Sequence, residues 1–260
     1  MPNYIKIPRE IIYDKSIGDK RVILYCYLYS RRSLDDTVAF SISELCYWSR
    51  LKPNYHDGKI NQKYLTVLKQ LSELDYFSSF PDFEKLSKEK KNSTDYYNVE
   101  INTEKFDVYD NFGIIYFDEL KRILDFKEEL KEEDIDISRM SSAYILLVLS
   151  YLRVNINKSG DAPQCCFRLY KTIAEGIGLS ERYISRVVEI LDVLNIVKHR
   201  EGKRFRYQDG DSFGFTGAPK IFADYKRYTK TEDGNFIIDD DYDYKIEIDK
   251  QLELLGMNTS

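Results

Sequence analysis

The hydrophobic pattern of this chain runs through the same series of segments twice. Each half begins with a short β-like apolar stretch, followed by a long apolar helical pattern, a short helix opened by a hydroxyl residue, and a longer amphipathic helix. The matching segments are residues 5–12 with 114–123, 20–32 with 141–153, and 43–51 with 172–179. The longer helices end at the pairs Tyr76–Phe77 and Ile196–Val197. An internal repeat of this length predicts two copies of one supersecondary unit.

The order of segments indicates which unit is repeated. A helix, a short helix, a turn, a longer helix and a β ribbon follow one another in a winged helix-turn-helix. We therefore predict a mainly α protein with small β wings (α+β), built from two tandem winged helix-turn-helix domains. The predicted divisions are a first domain at 1–110, a connector at 111–137, a second domain at 138–208, and a Gly-rich loop with an acidic tail at 209–260. Within the connector, residues 120–136 are expected to form a charged, solvated helix.

The second copy carries the clearer DNA-reading pattern. Thr172 and Ser180 are expected to cap the two helices, and Gly178 to end the first of them in left-handed geometry. The apolar residues of the second helix recur at three- and four-residue steps, at Ile184, Val187, Val188, Leu191 and Leu194. Arg182, Arg186 and Glu189 fall on the opposite face, with Ser185 beside them as a further candidate DNA contact. Arginine in a major groove can donate two hydrogen bonds to guanine, so we predict Arg182 and Arg186 as base readers. Ser180 and Tyr183 are predicted phosphate contacts.

A basic segment follows this helix directly. Residues 198–206, KHREGKRFR, suit a tight hairpin centred on Glu201 and Gly202. We predict that this wing contacts phosphates through the side chains of Lys198, Arg200, Lys203, Arg204 and Arg206. A solvated hairpin without a ligand is the alternative for this segment taken alone.

The first copy is less distinctly basic. Its long helix, predicted at 60–74, exposes Gln62, Lys63 and Lys69, with Lys59 nearby, and these four are candidate DNA contacts. About eight extra residues, KPNYHDGK, lengthen its turn, and its wing at 78–98 contains the basic run 85–91. DNA contact and dimerisation or partner binding both stay open as roles for this copy.

The net charge of −5 is unevenly distributed. Residues 118–136 carry −5 and residues 231–250 carry −6, so the rest of the chain carries +6. Because distant charges are partly screened beyond about 10 Å, the acidic balance does not exclude DNA as a ligand. The pattern has no apolar run near the roughly 20 residues of a membrane span and no apolar signal core, so we expect a cytoplasmic protein without a membrane partner.

Motifs that would indicate an enzyme or a bound metal do not occur in the sequence. It lacks a phosphate-binding GxxxxGK[ST] loop, an HExxH and a GxSxG pattern, and the acidic run at 239–243 lacks calcium-loop spacing. Cys26, Cys46, Cys165 and Cys166 form no CxxC pair, and the two histidines stand far apart. We expect no catalysis, no cofactor, no metal site and reduced cysteines.

The order of these segments resembles replication initiator proteins of plasmids and phages that contain two winged helices in one chain. The resemblance lies in YIKIPREIIYD, KRVILYCYLYSRR, TIAEGIGLSERYISRVV and KHREGKRFR, and it covers about residues 4–208. It implies binding to repeated origin sequences in double-stranded DNA, with homodimers and host replication proteins as further partners. It also implies that Arg182 and Arg186 read bases. A transcriptional regulator that binds an operator through the second copy is the main alternative, and a protein-interaction adaptor is a third.

Overall fold

The computed structural model describes residues 3–51, 55–56, 59–60, 62–87, 95–102, 111–156, 162–204, 206–209, 212–215, 218–230 and 236–257. Within these ranges the chain has mixed α and β structure, with helices packed on small antiparallel sheets. This architecture is compatible with the predicted α+β class.

The first series of elements, which we call the first repeat, comprises residues 4–101. Its order is β1 (Tyr4–Pro8), α1 (Arg9–Tyr13), α2 (Arg21–Ser30), β2 (Thr37–Phe40), α3 (Ile42–Trp48), β3 (Tyr55–His56), β4 (Lys59–Ile60), α4 (Gln62–Glu73), β5 (Phe77–Ser78), α5 (Phe83–Ser87) and β6 (Tyr97–Ile101).

The second repeat comprises residues 112–224 and, in the described residues, has a similar order, with one more helix near its start, no counterpart of the β3–β4 hairpin, and a β hairpin in place of α5. Its elements are β7 (Phe112–Tyr116), α6 (Phe117–Leu124), α7 (Phe126–Glu129), α8 (Ser142–Asn155), β8 (Cys166–Arg168), α9 (Tyr170–Ile177), α10 (Glu181–Val193), β9 (Val197–Glu201), β10 (Arg206–Asp209), β11 (Ser212–Phe215) and β12 (Lys220–Asp224). The chain continues with β13 (Tyr228–Lys230), β14 (Phe236–Ile238) and α11 (Tyr244–Leu254).

The sheets of the two repeats share one topology. Their strand orders are β2-β6-β5 and β8-β12-β9, and all the pairings are antiparallel. In each sheet, therefore, the strand that comes last in the repeat lies between the other two. This shared crossover supports the internal repeat independently of the hydrophobic pattern.

The two repeats share one hydrophobic core. Strands β1 and β7 pair along their whole lengths, from Tyr4 opposite Tyr116 to Pro8 opposite Phe112. Helix α2 packs against α8, and the buried apolar residues from Ile5 to Phe222 form one continuous cluster. A Cβ at Gly113 would lie 2.7 Å from the Ser150 carbonyl oxygen, so β7 approaches α8 closely only because this position is glycine.

A buried arginine joins several elements of the second repeat. The Arg153 guanidinium of α8 donates to both carboxylate oxygens of Glu119, at 2.5 and 2.7 Å, and to Asp224 at 2.9 Å. It also donates to the Ile114 carbonyl oxygen at 2.9 Å. Because each partner lies on a different element, Arg153 connects α8 to α6, β7 and β12.

The prediction of a solvated connector helix is wrong. Residues 120–136 form part of α6 and all of α7, followed by a non-helical segment. Leu120, Ile123, Phe126 and Leu130 are buried in the core. Their spacing gives this charged segment one apolar face, and that face packs inward.

The stretch predicted as a Gly-rich loop and acidic tail contains ordered structure that completes the second repeat. Strand β12 forms the centre of its sheet, and α11 packs on β12 through Ile248 and Leu252, which join Ile221 and Ala223 in a second apolar cluster. Most of the basic run at 85–91 lies outside the described residues.

Candidate nucleic-acid interface

Helices α9 and α10 meet in a tight turn at Gly178. This glycine has φ +79°, as predicted, and both its N–H and that of Leu179 donate to the Ala174 carbonyl oxygen, at 2.9 and 3.1 Å. The predicted cap at Thr172 is wrong, and the predicted cap at Ser180 is right in position but not in its hydrogen bond. Helix α9 begins at Tyr170, which places Thr172 inside its first turn, and the exposed Ser180 occupies the cap position of α10 without a side-chain cap hydrogen bond.

The first repeat contacts this turn with two basic residues. A Cβ at Gly178 would lie 3.2 Å from the Lys15 Cγ, so the exposed Lys15 side chain lies directly over the turn. The buried Arg21 donates to the Ile177 carbonyl oxygen at 2.9 Å and thereby fixes the end of α9. Local sequence patterns do not indicate Lys15, because the contact joins segments that are distant along the chain.

Helix α10 has the predicted amphipathic arrangement. Ile184, Val187, Val188, Leu191 and Leu194 are all buried. Arg182 and Glu189 are exposed on the opposite face, while Ser185 and Arg186 are half-buried. Arg182 takes part in no ion pair within the described residues, so its guanidinium is available to a ligand.

Arg186, by contrast, already has an acidic partner. Its Nη2 lies 2.5 Å from the Asp136 Oδ2, and only 18% of its side chain is exposed. Hydrogen bonds from Ser138, together with the charges of Arg186 and Arg182, lower the pKa of Asp136, so this carboxylate is ionised at neutral pH. The sequence pattern does not indicate this ion pair. The role of Arg186 as a base reader stays a prediction.

Two further predicted contact residues on α10 pack against neighbouring tyrosines. The half-buried Tyr183 ring lies 5.0 Å from the Tyr144 ring, measured between centroids. Ser185 is a side-chain hydrogen-bond partner of Tyr170. Ser180 remains exposed at the start of α10.

The strand that carries the basic wing pairs differently from the prediction. Strand β9 pairs with β12, with Glu201 opposite Lys220, instead of turning at Gly202 to pair with residues 203–206. The Gly202 N–H donates to the Pro219 carbonyl oxygen at 2.7 Å, and β10 and β11 form a separate hairpin between β9 and β12. The wing is thus longer than the tight hairpin that the sequence predicts.

Some basic residues of this wing have an acidic partner, and others have none within the described residues. Lys198 bonds Asp192 at 2.8 Å, and Arg200 lies 3.2 Å from Asp249 of α11. Lys203 and Arg204 are exposed, and neither takes part in an ion pair within the part of the chain that the structure describes. For Arg206 the description covers the backbone alone, in β10.

Asp192 joins the end of α10 to the base of the wing. Its carboxylate accepts hydrogen bonds from Lys198 at 2.8 Å and the Tyr225 hydroxyl at 2.7 Å, and the His199 Nδ1 lies 3.1 Å away. Although burial favours the neutral acid, the contacts with His199, Lys198 and Tyr225 lower the pKa of Asp192 to about 2. This cluster fixes the direction in which β9 leaves α10.

The candidate contacts of the first repeat lie on two elements. Lys59 belongs to β4 of the small β3–β4 hairpin, and the helix begins at Gln62 instead of residue 60; for these two residues only the backbone is described. Lys63 and Lys69 are exposed on α4, which buries Tyr64, Leu65, Val67, Leu68 and Leu71. The Gln70 side chain of α4 donates to the Ser16 carbonyl oxygen at 2.6 Å, so the segment next to Lys15 contacts α4 as well.

The described ranges meet neither the requirements of a metal site nor those of a membrane-spanning helix. No group of three His, Cys, Asp or Glu residues there could hold a metal ion, and the four cysteines are buried and form no disulfide within those ranges. No described helix is long and apolar enough to cross a bilayer.

The chain matches no family model, no curated protein and no solved structure.

Proposed function

We propose that this protein binds double-stranded DNA in a sequence-specific manner through two winged helix-turn-helix units, with the second repeat as the main reader. The observation that carries the proposal is α10, which follows a Gly178 turn and presents on its outer face an exposed Arg182 that has no ion-pair partner among the described residues. A recognition helix enters the major groove with its N-terminal residues at the base edges, and Arg182 is the second residue of α10.

Three further features support DNA as the ligand. Lys15 adds a cation at the turn, and Lys203 and Arg204 add two on the wing that follows α10. The shared sheet topology supports the interpretation of both repeats as winged helices. Lys63 and Lys69 give α4 exposed cations, so the first repeat is a second candidate for DNA contact. Dimerisation through this repeat is the alternative.

Within this class we propose a replication initiator of a plasmid, phage or other mobile element, acting in the cytoplasm without a catalytic step or cofactor. The support is the resemblance in the order of elements. Initiators of this kind bind repeated origin sites, so a homodimer and host replication proteins are the expected partners.

One observation favours the alternative of a transcriptional regulator. A cavity of about 350 Å³ opens between β7, the end of α8 and the segment after β12, and aromatic rings of Phe112, Tyr116, Tyr228 and Tyr242 line it. A cavity of this size suits a small effector molecule. A regulator would use it to change operator affinity.

Selection of bound duplexes from genomic fragments tests the proposal. We expect enrichment of defined duplexes at low salt and a log–log salt slope near −4 to −5, which corresponds to about five phosphate contacts. Tandem copies of the enriched sequence would favour the initiator, and a single palindrome upstream of the protein's own gene would favour the regulator. Absence of duplex binding at about 50 mM salt would contradict DNA binding altogether.

A further inference from the structure

We infer that Asp136 is a positioning residue that sets the sequence specificity of α10 by holding the Arg186 side chain. The inference rests on the proposed DNA-binding function and adds to it a residue outside the helix-turn-helix. The carboxylate lies in the connector, on the face of α10 that carries both arginines.

The two carboxylate oxygens of Asp136 have separate partners. Oδ1 accepts hydrogen bonds from the backbone N–H of Ser138 at 3.1 Å and from its hydroxyl at 2.6 Å. Oδ2 faces Arg186 at 2.5 Å. Because the Ser138 bonds are local, they orient the carboxylate before any contact with the arginine forms.

The residues on both sides keep this segment in place. Ile135 and Ile137 are partly buried against the hydrophobic core, and Met140 is only 3% exposed. Asp136 cannot move away from α10 unless these apolar side chains leave the core. The backbone at Asp136 is therefore fixed beside α10, which keeps its carboxylate within reach of Arg186.

A fixed carboxylate has two effects on Arg186. It occupies one terminal nitrogen of a guanidinium that carries five N–H donors, so the remaining donors stay available to a base edge. It also holds the side chain in one orientation, which reduces the entropy lost when a base is bound. Since Asp136 is 54% exposed, its charge in addition opposes the phosphates of any DNA that approaches this face. Only a duplex whose bases bond Arg186 offsets this repulsion, so the net effect disfavours non-cognate DNA.

The test compares Asp136→Asn with Asp134→Asn. Asp134 is an exposed residue of the same connector that takes part in no ion pair within the described residues, so both variants change the net charge equally. Binding is measured for two probes: the duplex that the wild-type protein enriches from a random-sequence library, and a shuffled duplex of the same length and composition. We expect Asp136→Asn to lower the ratio of the two affinities by about tenfold, mainly through tighter binding of the shuffled duplex. Asp134→Asn should change both affinities by the same factor.

Two outcomes would overturn the inference while leaving DNA binding intact. One is an unchanged affinity ratio in Asp136→Asn, which would make Asp136 a net-charge effect only. The other is a gain in affinity confined to the enriched duplex, which would make Asp136 a block on reading. Failure of the wild-type protein to enrich any duplex would instead overturn the proposed function, and the inference with it.

A second variant keeps the test valid if Asp136→Asn does not fold. Ser138→Ala removes the 2.6 Å hydroxyl bond that orients the carboxylate but leaves the ion pair with Arg186 possible. We expect a smaller decrease in the affinity ratio, with an unchanged thermal unfolding midpoint. An unchanged affinity ratio in a folded Ser138→Ala protein would reject the positioning role.

Discussion

Arg182 differs from the other arginine of α10 because no acidic side chain neutralises it by a direct ion pair within the described residues. It is exposed near the start of α10, where a recognition helix approaches base edges. We expect Arg182→Ala to weaken binding of the enriched duplex by about 1–3 kcal/mol and to relax discrimination at one base pair. Fluorescence anisotropy with single-base variants of the duplex measures both effects.

Lys127→Ala is the control for Arg182→Ala. Lys127 is an exposed cation of α7, and its removal lowers the positive charge by the same amount. If Arg182→Ala weakened the binding of all single-base variants of the duplex by one common factor, Arg182 would be a phosphate contact instead of a base reader.

The outward position of Arg182 could be predicted from the sequence, whereas the partner of Arg186 could not. Helical periodicity places both arginines opposite the buried residues of α10, and that prediction depends only on local spacing. The ion pair with Asp136 depends on how the connector folds back over α10. Local patterns carry no information about such a contact.

At the scale of elements, Lys15 lies where the first repeat meets the turn between α9 and α10. The Lys15 Cγ is 3.2 Å from the position of a Cβ at Gly178, and the Lys15 side chain is exposed. We expect Lys15→Ala to weaken binding of all duplexes and to reduce the magnitude of the salt slope by about 1, because one phosphate contact is lost. Titrations at several salt concentrations measure the slope, with Lys127→Ala as the control that leaves it unchanged. An unaltered slope in Lys15→Ala would place this turn away from DNA.

The junction of α10 with β9 has a predictable dependence on pH. The contacts of Asp192 lower its folded-state pKa from 3.8 to about 2. A group with a depressed pKa contributes stability above its unfolded value, and that contribution is lost as the pH falls through the folded value. We therefore expect unfolding midpoints in urea to decrease between about pH 4 and pH 2 in the wild-type protein, and to decrease less in Asp192→Asn. In the control Asp134→Asn, the urea midpoint should change with pH as it does in the wild-type protein. If the midpoint of Asp192→Asn decreased with pH as much as that of the wild-type protein, the role of the Asp192 carboxylate would be contradicted.

The order of elements could be predicted from the sequence, but the pairing of the wing could not. The helices α2, α4, α8 and α10 follow the predicted apolar patterns closely. The partner of β9 is β12, and the hairpin β10–β11 lies between them in the chain. Glu201 and Gly202 satisfy the local rules for a tight turn. The long-range pairing of β9 with β12 forms instead, because β12 supplies the buried residues Ile221, Phe222 and Ala223 at the centre of the sheet.

At the scale of the whole molecule, the two repeats are expected to unfold together. They share the β1–β7 pairing and one continuous core, and Arg21 of the first repeat bonds the end of α9 in the second. Trp48 is the one tryptophan of the sequence and lies in the first repeat, so its fluorescence reports on that repeat. Leu191, fully buried in α10, belongs to the second.

Replacing Leu191 with alanine should therefore shift the urea unfolding curve observed through Trp48. A buried Leu→Ala change costs about 2–5 kcal/mol, and in one cooperative unit that loss lowers the midpoint for both repeats. Leu45→Ala in α3 is the matched control, since Leu45 is equally buried and lies in the same repeat as Trp48. Coincident curves from tryptophan fluorescence and far-ultraviolet circular dichroism are expected for both variants. If Leu191→Ala left the Trp48 midpoint unchanged while Leu45→Ala lowered it, the repeats would unfold independently, and the shared core would not couple them.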